Sequence, residues 1–318
     1  MDTRILSIFP ILDTVSWQYY KKAVSSFWTA EELDLSKDLE DFKKLNDNEK
    51  FFIENILSFF NSSDLIVNEN LALRFLNEPN INQEMKCFYG FQYAMENIHS
   101  ETYSLLIDTL IKDREHKQKI QNGVINNPFI KKKAEWCYKY IDSNLDFIYR
   151  LIAFCCVEGI FFSSSFCSIY WLKKRGLMPG VTFSNELIAR DETLHTEFGV
   201  NVFKQLGKSY KMSKLILDII KEACELEKEF VDYCLKVNLI GMNSALMKEY
   251  VEYVTDRLTI QLGFKPIYNR PNPFDWMELI SLNGKTSFFE KRNSDYSIAS
   301  IANSLNGTSG FNISEDDF

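Results

Sequence analysis

Residues 88–107 read FYGFQYAMENIHSETYSLLI, and residues 189–199 read ARDETLHTEFG. Each stretch carries one E-x-x-H: Glu96 with His99, and Glu192 with His195. Residues three apart share a helix face, so each pair is placed to hold one metal ion. The protein has only three His, and two are used this way. Two such helices, with one carboxylate from each of two others, make a dinuclear carboxylate-bridged metal site in a four-helix bundle. The third, His116, also follows an acid by three residues, but it lies in the charged run IKDREHKQKI and reads as a solvated face.

Two further carboxylates are needed. Glu158 sits inside LIAFCCVEGIFFSSSFCSIYWL (151–172), with Phe154, Phe162 and Phe166 on its face. An unpaired carboxylate there would cost several kcal/mol or take up a proton, and a metal removes that problem. Asp64 has Leu57, Phe60, Val67 and Leu71 on its face. Its competitor Glu69 lies about 140° around the helix, at about 100° per residue, on a less apolar side. Carboxylates with imidazoles suit iron or manganese better than zinc or calcium. Tyr103, four residues after His99, points to the same helix face and reads either as an oxidisable phenol or as a core tyrosine.

Outward from these motifs the sequence reads as all-α. With 12 Gly and 7 Pro in 318 residues, helix breakers are scarce, and no β-alternation of useful length occurs. Helices are expected over 48–77, 82–112, 128–145, 146–174, 183–206, 210–238 and 243–261, after an N-terminal arm with one short helix. Gly176 and Pro179 should stop the apolar helix. Thr29 and Glu32 form a capping-box pattern. From about Asn283 the sequence is rich in Ser, Asn and Gly and closes SGFNISEDDF. This gives a helical domain over 1–282 and a flexible tail over 283–318.

The formal net charge of −8 argues against nucleic-acid binding. The basic runs Lys131–Lys132–Lys133 and Lys173–Lys174–Arg175 are read as solvated helix ends. The seven Cys show no CxxC pair and are read as free thiols in a reducing, cytoplasmic interior. The 151–172 stretch is long enough to cross a bilayer, but Glu158 within it favours a buried soluble helix, and no membrane association is expected. No phosphate-binding glycine loop is present.

The strings FWTAEELDLSKD (27–38), SSDLIVNENL (62–71), FYGFQYAMENIHSETYSLLI (88–107), VEGIFFSSSFCSIYWLKKRGLMPG (157–180) and ARDETLHTEFG (189–199) together resemble the small subunit of eukaryotic-type class I ribonucleotide reductase. The resemblance runs from about Phe9 to Phe318. It implies a ferritin-like helical bundle, a homodimer, and metal ligands at Asp64, Glu96, His99, Glu158, Glu192 and His195. It implies two Fe ions per chain as a di-iron-oxo centre, with Mn as the alternative. It further implies that Tyr103 carries a stable radical, made with O₂, in an apolar pocket of Phe162, Phe166 and Ile188. Trp28, Asp191 and Tyr296 would pass the oxidising equivalent to a large subunit that reduces ribonucleoside diphosphates. The tail ending at Phe318 would dock on that subunit. The sequence starts almost at the FPI segment, Phe9–Pro10–Ile11, and so is read as short at its N-terminus. The rival readings are another ferritin-like di-iron oxidase and a catalytically silent partner-binding paralogue.

Overall fold

The computed structural model describes residues 7–210, 213–236, 239, 241–274 and 277. The expected boundary at 282/283, Tyr296 and the tail ending at Phe318 lie outside the described residues. Within them the protein is built of helices: α1 (Thr14–Ser25), α2 (Asp38–Lys44), α3 (Asp47–Asn70), α4 (Gln83–Leu110), α5 (Arg114–Gln121), α6 (Gly123–Asn126), α7 (Pro128–Ile141), α8 (Phe147–Cys156), α9 (Ser163–Lys174), α10 (Pro179–Leu206), α11 (Lys214–Cys234) and α12 (Ser244–Gln261). Local side-chain chemistry sets the helix starts. Asn46 and Glu49 close a capping box on α3, Asn82 caps α4, Asn127 caps α7 ahead of Pro128, and Asn243 caps α12. Each satisfies backbone N–H groups that the first helical turn leaves unpaired.

Four expectations are corrected. Pro179 does not merely stop a helix: it opens α10, four residues ahead of the expected start. Its fixed φ and missing N–H suit a first helical position. Met178 before it is left-handed at φ 54°, and Gly176 at φ 68° ends α9. The buried Asp38 carboxylate accepts the N–H groups of Gly180 and Val181 at 2.9 and 2.8 Å. Position 180 must be glycine, because a Cβ would lie 2.5 Å from the Asp34 carbonyl. Second, helices α2, α5 and α6 form where none was expected; Asp113 caps α5, although its side chains are nearly all polar. Third, the apolar helix is interrupted by a π-helical turn, Val157–Phe161, and a second such turn, Leu71–Phe75, follows α3. Fourth, Lys133 is not solvated: Lys131 and Lys132 are exposed as expected, whereas Lys133 is buried.

Helix α3 packs on α4, α10 packs on α8, α9 and α4, and α11 packs on α8 and α12. The segment Phe147–Lys174 is long and apolar enough to cross a membrane, but its most apolar window is 94% buried inside the protein. Its apolar surface is taken up by protein contacts, each fully buried large side chain contributing roughly 1.5–3 kcal/mol. All seven cysteines are free, and six are buried.

Candidate metal centre

Helix α3 supplies Asp64, α4 supplies Glu96 and His99, the π turn between α8 and α9 supplies Glu158, and α10 supplies Glu192 and His195. All six come together, none more than 3% exposed. His99 Nδ1 lies 3.2 Å from Glu96 Oε2 and 3.1 Å from Glu192 Oε1. His195 Nδ1 lies 3.1 Å from Glu96 Oε1, 3.3 Å from Glu192 Oε2 and 3.6 Å from Glu158 Oε2. Glu96 and Glu192 therefore each face both imidazoles, one oxygen toward each. Asp64 joins the His99 side and Glu158 the His195 side, giving two donor groups that share Glu96, each with its donor atoms within 4.8 Å of one another.

The cluster is not satisfied by its own hydrogen bonds. Asp64 Oδ2, Glu158 Oε2 and Glu192 Oε1 are buried and accept none; Glu192 Oε1, although near His99, receives no well-directed N–H. Burial, and then the neighbouring Glu96, push the Asp64 carboxyl well above its usual range. Burial and Glu192 do the same to Glu158. Burial alone would lower the two imidazoles, but Asp191, Glu192 and Glu96 around His99, and Glu192, Glu158 and Glu96 around His195, raise both well above normal. Four carboxylates and two imidazoles packed together, with oxygens left over, fit hard or borderline cations that take O and N donors. The donor set fits a pair of iron or manganese ions.

Trp28 reaches the cluster from the segment after α1. Its Nε1 donates to Asp191 Oδ2 at 2.8 Å, and the same oxygen lies 3.2 Å from His99 Nε2. The indole and imidazole rings are nearly parallel, centroids 5.8 Å apart. Arg190 donates to Asp191 Oδ1 at 2.8–3.0 Å and to the Ser26 carbonyl at 2.7 Å, tying α10 to the arm that carries Trp28. Burial would raise the Asp191 carboxyl, but His99, Arg190 and Trp28 hold it below the usual range.

Tyr103 is fully buried and its hydroxyl has no hydrogen-bond partner. Its ring stacks on Phe60 at 4.5 Å, and Phe60 in turn meets Phe162 at 5.6 Å and Phe166 at 5.1 Å. Phe162, Phe166 and Ile188 are buried. The residues set aside stand elsewhere: His116 pairs with Glu54 at 3.0 Å on a half-exposed surface, and Glu69 accepts the Tyr138 hydroxyl.

Sequence reasoning misses Phe60 as the ring on Tyr103, and it misses Arg190 and Gln92. Gln92 Nε2 is 3.3 Å from both Glu96 Oε1 and Glu158 Oε1. Gln92 carries a signal, four residues before Glu96 and so on the same helix face.

The family description "Ribonucleotide reductase, small chain" matches residues 5–273. The protein belongs to the ribonucleotide reductase small-chain family. It is 54% identical over 314 residues to one of the ribonucleoside-diphosphate reductase small chains of Arabidopsis thaliana, covering 98% of its own length and 92% of the relative's. It is 57% identical over 290 residues to the small chain of vaccinia virus (strain Copenhagen), covering 91% and 90%. Among solved structures it is similar to the ribonucleotide reductase Rnr4 homodimer from Saccharomyces cerevisiae, with a TM-score of 0.78, 39% identity, and 93% and 90% of the two chains covered. The small-chain family thus carries an oxidoreductase function, and the ferritin-like all-helical fold is shared with its solved relatives.

Proposed function

We propose that this small chain stores an oxidising equivalent on Tyr103 and passes it to a large ribonucleotide reductase subunit, which reduces ribonucleoside diphosphates. The observation that carries the reading is the set of buried carboxylate oxygens without partners around two imidazoles. Asp64, Glu96 and His99 would hold one metal ion and Glu158, Glu192 and His195 the other, with Glu96 and Glu192 between them. Two iron ions, or manganese in their place, supply with O₂ the one-electron oxidant. The protein's own residues do the rest. Burial, then the charges of Asp64, Glu192 and Glu96, keep the Tyr103 phenol protonated, so oxidation takes one electron and one proton together. Asp64 Oδ2, which accepts no hydrogen bond, is the acceptor for that proton. Phe60, Phe162, Phe166 and Ile188 exclude water and reductants from the ring. His99, Asp191 and Trp28 form a hydrogen-bonded path away from the cluster, and Tyr296 is proposed as the carrier that takes the oxidising equivalent on to the large subunit.

In this reading residues 1–282 form the helical domain, and the tail 283–318, ending at Phe318, docks on the large subunit. The small chain works as a cytoplasmic homodimer; the description of the Rnr4 neighbour as a homodimer supports that part. The test is electron paramagnetic resonance after the metal-free protein is loaded with Fe(II) and exposed to air, with Tyr103→Phe alongside. A tyrosyl signal in the parent and none in the variant is the expected result. Two bound irons with no radical would sink the redox reading and favour another ferritin-like oxidase or a silent paralogue.

A further inference from the structure

Beside the metal-ligand cluster, but outside it, lies a second buried pair of charges. Lys133 of α7 and Glu227 of α11 are in ion-pair contact, with side chains 2% and 0% exposed. The Lys133 ammonium also donates to the Phe161 carbonyl at 3.3 Å and lies over the rings of Phe59 and Phe230, at 3.6 and 4.0 Å from their centroids. Glu227 accepts the Ser164 hydroxyl. Phe161 is the last residue of the π turn that carries Glu158, and Ser164 lies in the first turn of α9 just after it. Two helices that supply no candidate ligand thus converge on the end of the turn that supplies one.

Stability alone does not account for this pair. Burying two charges costs several kcal/mol per ion, and apolar side chains of similar volume often serve a core as well or better. A π turn, by contrast, is rare, and occurs mostly as a single turn inside an α-helix, frequently at a functional site. Glu158 depends on it. Its Oε1 accepts one hydrogen bond, from Gln92 at 3.3 Å, and its Oε2 faces His195 Nδ1 at 3.6 Å without one, so its position leans heavily on the backbone that carries it. If the turn lost its extra residue and relaxed to α register, side chains on one side of it would rotate by about 100°, and Glu158 would leave the His195 side of the cluster.

We infer that Lys133 and Glu227 are positioning residues that clamp the end of the π turn and thereby set where the Glu158 carboxylate stands in the metal centre. This rests on the reading of Glu158 as a metal ligand. The clamp is expected to act on the Glu158 half of the centre: Asp64 and His99 belong to α3 and α4, and the pair meets α3 at the ring of Phe59 rather than at a ligand.

The experiment is a titration of the metal-free, full-length protein with Co(II), followed by visible absorption and circular dichroism of the bound ion, for the parent and for Lys133→Met/Glu227→Met. The double variant removes both charges at similar volume, so its melting temperature is expected to stay near the parent's. The first Co(II) should bind as in the parent. The second should bind roughly tenfold or more weakly, the usual penalty for losing a residue that orients a ligand, with altered dichroism. A pair that only holds the fold would leave both steps unchanged, and that result overturns the inference. If the double variant does not fold, Ser164→Ala decides: about threefold weakening of the same step, the worth of one modest hydrogen bond, supports the clamp, and two parental steps overturn it. A parent that takes up fewer than two Co(II) overturns the metal reading itself; a two-ion parent with an unchanged variant overturns this inference alone.

Discussion

Tyr103 and Trp28 both border the same carboxylate cluster, both about 1% exposed, and their polar surroundings are opposite. Tyr103 stacks on one ring, and its hydroxyl bonds to nothing. Trp28 is the end of a series of polar contacts: its N–H to Asp191, Asp191 to His99, Arg190 on Asp191's other oxygen. A group with no hydrogen-bonded partner is isolated, and a change in its charge is not passed along a chain of hydrogen bonds. A group at the end of a continuous network is coupled, because each member polarises the next. The contrast matches the proposed division between holding an oxidising equivalent on one flank and moving it on the other.

Both flanks are built around the cluster, so withdrawing its cations is the largest test of the comparison. In the metal-free protein, burial raises the Asp64 and Glu158 carboxyls, and the surrounding carboxylates raise His99 and His195 despite burial. All four bind more protons folded than unfolded. The His contribution is full below about pH 6.5, the unfolded value, and is lost as pH rises through the folded value. The two raised carboxyls likewise disfavour the fold as pH climbs above their unfolded values, about 4. Asp191 and Glu192 are lowered, and their contribution is lost only on acidification below the carboxylate range. Stability of the metal-free protein should therefore fall from pH 5 to pH 8. Metal reverses the trend, because the ligands must be deprotonated to bind, and it adds about 2.7 kcal/mol per site at 100-fold excess over Kd. Thermal melts of metal-free and Mn(II)-loaded protein over that range check this. A metal-free protein that melts higher at pH 8 than at pH 5 would contradict the cluster described.

Trp28→Phe separates the flanks. The ring stays to pack on His99, but the N–H to Asp191 is gone. Activity measured with the large subunit is expected to drop roughly 10–100-fold, the usual range for losing a partner one shell beyond a metal ligand. The Tyr103 signal should form as in the parent. Signal and activity falling together would mean that the two flanks are one unit.

The features legible in the sequence are those that periodicity carries. E-x-x-H fixes two side chains on one face whatever the tertiary structure, and a carboxylate among phenylalanines, as at Glu158, signals a desolvation cost that something must offset. The structure brings all six expected side chains to one place on the expected helices. The π turn at Val157–Phe161 is hidden, because its extra residue leaves composition unchanged and is enforced by neighbours distant in sequence. Lys133 is obscured for the same reason. In the run Lys131–Lys132–Lys133 three lysines look alike, yet about 100° per residue turns the third inward, where Glu227, 94 positions on, meets it. Pro179 reads as a stop signal when it is equally a start signal. Phe60 reads as core beside Asp64, and only packing reveals that it lies flat on Tyr103.

That stack is the basis of the finest test. The Phe60 and Tyr103 rings are 5° from parallel at 4.5 Å, and nothing polar holds the phenol. Among the described residues its orientation is therefore set by packing, with Phe60 the face-to-face contact. Phe60→Leu keeps the pocket apolar and removes the flat face. An aromatic pair is worth about 0.5–1.5 kcal/mol beyond its buried area, and with a small residual cavity the fold should lose about 1–2 kcal/mol, a drop of a few degrees in melting temperature at this size. The tyrosyl signal should still form, since Phe60 donates nothing to its chemistry. Its hyperfine pattern should broaden, because coupling to the β-methylene protons follows the ring's dihedral angle and the ring now samples several. The Trp28 flank, which Phe60 does not touch, should keep its share of activity while the signal lasts, but the signal should decay faster as reductants gain access. An unchanged line shape with the same stability loss would show that Phe162 and Phe166 hold the ring without Phe60, and would move the isolating wall from α3 to the segment that follows the π turn.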